Sequence, residues 1–152
     1  MSNSRLRTQP VEVLLVEDNP GDVRLLQEAF KDGEFAGRLH VVRDGEEAMA
    51  FLRQESPFED CPRPSFILLD LNLPRKGGQE VLAEVKRSKD LRQIPVLILS
   101  TSTGCDDIAK AYDQHANCYI PKPVDLDKLV QMTQRLQAFW LNTAVLTKPS
   151  IP

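Results

Sequence analysis

Short apolar runs alternate with helical stripes along the whole chain. Val11-Glu-Val-Leu-Leu-Val16, Phe66-Ile-Leu-Leu69 and Pro95-Val-Leu-Ile-Leu-Ser100 are almost continuously apolar. Such runs suit strands covered on both faces in a parallel sheet. Residues 39–42 and 118–121 read as two weaker strands, the former nearer an edge. Between them, apolar residues recur at three and four. The sets are Val23, Leu26, Ala29, Phe30; Ala48, Phe51, Leu52; Val81, Leu82, Val85; Ile108, Ala111, Tyr112; and Leu126, Leu129, Val130, Thr133, Leu136, Trp140. Each set is the inward stripe of an amphipathic helix.

The punctuation agrees with this division. Asn19 is a good N-cap, Pro20 suits the first helical position, and Gly33 suits a left-handed helix end. Asp44 and Asp125 can cap the second and last helices, and Gly77 or Gly78 starts the third. The hydroxyls of residues 101–103 are expected to cap the fourth. Residues 56–64 hold three prolines and form a loop. Strand–helix alternation five times over predicts an α/β fold: a five-stranded parallel sheet with helices on both faces and right-handed crossovers. The expected organisation is a flexible arm (1–10), one domain (11–142) and a tail (143–152).

Composition narrows the function little but excludes several classes. At 152 residues the chain suits one domain with a real core. A net charge of −3 argues against a polyanion-binding surface, so no nucleic acid is expected. Cys61, Cys105 and Cys118 are scattered and lack metal-ligand spacing, which favours a reducing, cytoplasmic setting. Residues 1–10 show no apolar leader, and no run is long enough to span a membrane.

Chemistry concentrates where the strands end. The first strand delivers Glu17 and Asp18, the third Asp70 and Asn72, the fourth Ser100, the fifth Tyr119 and Lys122-Pro123. In open α/β sheets, ligands bind beyond the carboxyl ends of the strands. In the flavodoxin-like order 2-1-3-4-5, strands one, three and four are neighbours, and three carboxylates crowd one crevice. Such crowding is unfavourable unless a cation joins the acids, and an all-oxygen set points to Mg²⁺. Taken singly, each residue has a plainer reading: a helix-capping acid, a solvated lysine, a packed tyrosine. Their coincidence at one crevice favours the functional one.

This combination resembles the receiver domain of two-component response regulators. The resemblance rests on Glu17-Asp18, Asp70-Leu-Asn-Leu-Pro74, Ser100, Tyr119 and Lys122-Pro123, and covers residues 11–136. The loop at 56–64, the Asp-Leu-Asn-Leu-Pro wording and Phe139-Trp140 on the last helix further resemble stand-alone regulators that partner phytochrome-type histidine kinases. The resemblance implies that Asp70 accepts a phosphoryl group from a kinase phosphohistidine. Mg²⁺ would be held by Asp18 and Asp70 directly, by the Asn72 carbonyl, and by Glu17 through water. Lys122 and Ser100 would contact phosphoryl oxygens, and Tyr119 would be the aromatic that moves. The Lys122–Pro123 bond would be cis. Ser100 and Leu73 replace the commoner Thr and Met, and Thr101 is bulkier than usual.

Rival functions fit less well. An aspartyl-phosphate phosphatase needs a second acid at the position of Asn72. A flavodoxin needs a phosphate cradle where this chain has carboxylates, and no Gly-x-x-x-x-Gly-Lys occurs. The expectation is therefore a single-domain regulator, not a transcription factor and not an enzyme beyond self-phosphorylation and self-dephosphorylation. The alternative is a degenerate receiver acting as an adaptor without phosphorylation. Met132 and Phe139 lie beside the inward stripe of the last helix. They predict a homodimer through the fourth helix, fifth strand and fifth helix.

Overall fold

The computed structural model describes residues 11–32, 37–141 and 143–147. The expected arm at 1–10, the helix end at Gly33 and the tail beyond 147 lie outside them. Five strands, β1 (Val11–Val16), β2 (Gly37–Val42), β3 (Phe66–Leu69), β4 (Val96–Ser100) and β5 (Cys118–Pro121), alternate with five helices. The helices are α1 (Pro20–Asp32), α2 (Gly45–Leu52), α3 (Gly78–Arg87), α4 (Cys105–Asp113) and α5 (Leu126–Leu136). All strand pairs are parallel, in the order β2-β1-β3-β4-β5.

The continuous apolar runs became the three inner strands for the anticipated reason. Side chains alternate across a strand, so β1 sends Leu14 and Val16 to one face and Val11, Val13 and Leu15 to the other. The first face, with Ile67, Leu69, Val96 and Ile98, packs on α2, α3 and α4 through Met49, Leu52, Leu82, Val85 and Ala111. The second, with Phe66, Leu68, Leu97 and Leu99, packs on Leu26 and Phe30 of α1 and Leu129 and Leu136 of α5. Each fully buried leucine or isoleucine contributes about 2 kcal/mol. The sheet is thereby fixed in register, and its carboxyl ends hold the side chains that follow them in place.

Helix starts follow the caps. Asn19 Oδ1 accepts from the Asp22 amide at 3.0 Å, and the Asp44 side chain accepts from the Glu47 amide. Asp125 accepts from Asp127 and Lys128. At α4 the expectation fails: the N-cap is Gly104, with no side-chain cap bond. The Ser102 hydroxyl instead bonds the Asp107 carboxylate, which faces it across the first turn.

α5 also departs from its stripe. Leu129, Thr133 and Leu136 are buried, but Leu126 is 53% exposed because it sits on the first turn, beyond the sheet. After Leu136 the helix widens into a π-helical turn, Gln137–Leu141. That turn sets Trp140 against Phe66, with ring centroids 6.1 Å apart, and leaves Phe139 53% exposed. The loop at 56–64 is closed by Phe58 packed against Phe51 in a tilted ring pair at 5.5 Å and by a bond from Gln54 Nε2 to the Cys61 carbonyl. Among the described residues the cis peptide bond is Ser56–Pro57, and no helix is long and apolar enough to cross a membrane.

Candidate functional site

Each acid stands where a ladder runs out. The Glu17 amide continues the β1–β2 ladder by donating to the Val42 carbonyl, and the Asp70 amide continues β1–β3 by donating to Val16. Both backbones are held by the sheet before their side chains emerge. Glu17 is 1% exposed and Asp70 5%, whereas Asp18 is exposed. Glu17, Asp18 and Asp70 each offer a carboxylate oxygen, and the three oxygens lie within 4.8 Å of one another.

The loop after Asp70 is pinned from two sides. The Asn72 amide donates to Asp70 Oδ1 at 3.1 Å. The Gly78 amide donates to the Leu71 carbonyl at 3.2 Å, tying the start of α3 to the loop. A Cβ at Gly78 would lie 2.4 Å from the Asp70 carbonyl oxygen, so only glycine permits this approach.

Lys122 reaches the acids from β5. Its amide donates to the Ser100 carbonyl at 2.7 Å. Its Nζ lies 2.6 Å from Glu17 Oε1, 3.0 Å from Asp22 Oδ2 and 3.5 Å from Asp70 Oδ2. The Lys122–Pro123 bond is trans, against the cis bond the resemblance implied. The trans geometry still brings the ammonium to the carboxylates, which hold it by direct ion pairs.

Burial pushes the Glu17 carboxyl from 4.5 up to about 7, helped by its hydrogen bond to Asp70 and opposed by Lys122. Burial works against the Lys122 charge, but the Glu17 bond and the Asp70 and Glu17 charges outweigh it and hold the ammonium above its ordinary range. One lysine therefore faces more negative charge than it can neutralise. An all-oxygen donor set in that condition fits a hard divalent cation. The residues present suit such an ion, with Glu17, Asp18 and Asp70 as its carboxylate donors.

Ser100 and Tyr119 are brought to the rim of the crevice but bond elsewhere. Ser100 is fully buried, and its Oγ accepts from the Ser102 amide at 3.1 Å. The half-buried Tyr119 donates its hydroxyl to the Ser102 carbonyl at 2.9 Å. Both bonds end on Ser102, in the loop after β4. Asn72 is exposed and offers its main chain at the mouth.

Sequence reasoning missed Asp22. It sits in the first turn of α1, where an acid reads as a complement to the helix dipole. The available signal was its spacing of four from Asp18, which places both acids at one helix end.

Comparison with known proteins agrees with this geometry. The response regulator receiver domain model matches residues 13–134. The chain is 49% identical over 137 residues to response regulator Rcp1 of Synechocystis sp., covering 90% of this chain and 93% of that one. The crystal structure of the phosphorylated cyanobacterial phytochrome response regulator RcpA superposes with a TM-score of 0.88 at 49% identity, over 92% of this chain and all of that one. The Mn²⁺-bound form of Rcp1 gives 0.87 at 48% identity, over 91% of this chain and all of that one.

Proposed function

The chain belongs to the response regulator receiver domain family, and from that premise we propose that it is a single-domain phosphorylation switch with Asp70 as phosphoacceptor. The observation that carries this reading is the placement of Asp70. It is a buried strand-end carboxylate with two further acids within 4.8 Å and the Lys122 ammonium at 3.5 Å. A carboxylate oxygen of Asp70 attacks the phosphorus of a kinase phosphohistidine, the O–P bond forms as the N–P bond breaks, and the imidazole leaves. Catalysis of this kind is positioning and charge neutralisation. When bound, Mg²⁺ would supply neutralisation, held by Asp18 and Asp70 directly, by the Asn72 carbonyl, and by Glu17 through water. Lys122 binds one phosphoryl oxygen, and Ser100 turns its hydroxyl toward another. The Ser102 link then releases Tyr119 to move inward. Self-phosphorylation from small donors and self-dephosphorylation are its only catalysis. The test is incubation with acetyl phosphate and Mg²⁺ followed by intact mass. One added phosphoryl group is the expected result, and none would return the static-adaptor alternative.

The kinase partner we propose is a phytochrome-type histidine kinase. Support comes from the names of the similar proteins, which include bacteriophytochrome response regulators at 37–38% identity. The free thiols of Cys61, Cys105 and Cys118 fit the reducing cytoplasm in which such kinases signal.

Metal binding should be pH-dependent with a definite sign. Glu17 releases its proton near pH 7 in the metal-free protein, and the cation must displace that proton. Apparent Mg²⁺ affinity should fall about tenfold between pH 8 and pH 6. Stability runs the other way. The folded state binds this proton more tightly than the unfolded chain between pH 4.5 and about 7, so the metal-free fold gains stability as pH falls through that window. Calorimetric titration at the two pH values checks the first statement, and a flat affinity profile would refute it. Asp18→Ala should abolish binding at both.

A second copy of the chain is the partner we propose for the β5–α5 face. A groove of about 730 Å³ is lined there by Ile120, Met132, Leu136, Phe139 and Trp140, with Lys128 and Arg135 at its rim. Phe139 and Tyr112 are about half exposed. A two-fold contact repeats each substitution across the interface. Phe139→Glu should therefore leave only monomer in light scattering while Asp70 still takes phosphoryl. A wild type that stays monomeric at high concentration, phosphorylated or not, would rule the dimer out.

A further inference from the structure

Lys122 has three acidic neighbours, and they are not equivalent. Glu17 and Asp70 belong to the set whose oxygens converge within 4.8 Å; Asp22 does not. Asp22 meets the ammonium from the first turn of α1, its own amide held by Asn19 Oδ1. Its carboxylate is 31% exposed, while the Lys122 side chain is 9% exposed. Asn19 is in turn fixed by its amide's bond to Glu17 Oε2 at 3.2 Å. The turn that presents Asp22 is thus built on the acid cluster itself.

A divalent ion on Glu17, Asp18 and Asp70 changes the balance. It takes up the negative charge that held Lys122 and adds like charge beside the ammonium. Asp22 is then the carboxylate partner left to Lys122. We propose that Asp22 is a positioning residue for Lys122, keeping the ammonium in the crevice when the cluster is engaged by a cation. The inference rests on the phosphoacceptor reading. An acid at this position could serve the helix dipole alone, but a dipole role needs no lysine at 3.0 Å.

The test compares wild type, Asp22→Asn and Asp22→Glu with and without Mg²⁺. Asn keeps the size and the helix start. Two readouts are taken: trace acylation of Lys122 by peptide mass, and the rate of phosphoryl uptake from acetyl phosphate. With Mg²⁺, Asp22→Asn should raise Lys122 labelling and slow uptake by about tenfold each, the loss of one charge-assisted hydrogen bond. Asp22→Glu should restore both. Mg²⁺ affinity should change by no more than about threefold, since a lost surface charge is screened. Unchanged Lys122 labelling in Asp22→Asn with Mg²⁺ present would overturn the proposal. Mg²⁺ binding lost as in Asp18→Ala would also overturn it, by making Asp22 a metal ligand. A wild type that takes neither Mg²⁺ nor phosphoryl would instead sink the phosphoacceptor reading.

Discussion

Asp70→Asn should take up no phosphoryl group from acetyl phosphate and Mg²⁺ under conditions where wild type gains one. A carboxamide oxygen carries no charge to attack phosphorus, so the loss is complete rather than partial. The substitution should leave the fold intact. The Asn72 amide can still donate to a carbonyl oxygen at that place, as it does to Asp70 Oδ1. The metal-free protein should even gain about 1 kcal/mol, because a like charge leaves a crowded site. Asp70 is one of the groups that raise Glu17. Glu17 should therefore titrate lower in the variant, and the gain in stability on acidification from pH 7 should shrink. Intact mass and thermal melts at pH 5 and pH 7 read both effects. A variant labelled as well as wild type would remove Asp70 from the chemistry.

Gly78→Ala is the second large effect, and it acts through backbone. The new Cβ would meet the Asp70 carbonyl oxygen at 2.4 Å and the Leu71 Cα at 2.5 Å. Neither atom is at the end of a flexible side chain, so α3 or the loop must move. Overpacking of this kind costs about 1–3 kcal/mol, and the better helix propensity of alanine returns less than about 1. The displaced loop carries Asp70, so phosphoryl uptake should also slow by about a hundredfold, the effect of a shift near 1 Å at a reacting group. Gly77→Ala is the control: nothing lies within 4 Å of its Cβ. It should stay within about 1 kcal/mol of wild type, the scale of an N-cap change. Denaturant unfolding and uptake rates separate the two glycines. Equal behaviour would mean the close approach at Gly78 is dispensable.

Much of this site was legible because its parts sit at predictable places. Strand ends are marked by where an apolar run stops, so Glu17, Asp18, Asp70 and Ser100 could be placed from β1, β3 and β4 alone. Caps at Asn19, Asp44 and Asp125 were legible because a cap is a contact between near neighbours. What stayed hidden depends on distance through space or on fine helix geometry. Asp22 meets Lys122 across 100 residues of chain, and no local pattern reports that reach. Leu126 fits the α5 stripe in sequence yet projects past the sheet, because periodicity gives the face and not the length of what it covers. The π-helical turn at Gln137–Leu141 shifts the phase of Phe139 and Trp140 relative to an α-helical wheel. The α4 cap was misread because the Ser102 hydroxyl bonds the Asp107 carboxylate and the Gly104 amide rather than an amide of the helix's first turn.

The sheet has two edges, and they are not alike. On β5 the outward donors fall at Tyr119 and Pro121, since Lys122 turns inward to Ser100. The Tyr119 amide is already spent on the Tyr112 hydroxyl at 3.1 Å, and proline has no amide hydrogen to offer. This edge therefore presents no free donor to an incoming strand. β2 is six residues long and free of proline, so among the described residues it is the edge that proline does not block. Polymerising through edge pairing requires two receptive edges per molecule. Among the described residues this molecule offers one, so edge pairing between copies ends at a dimer.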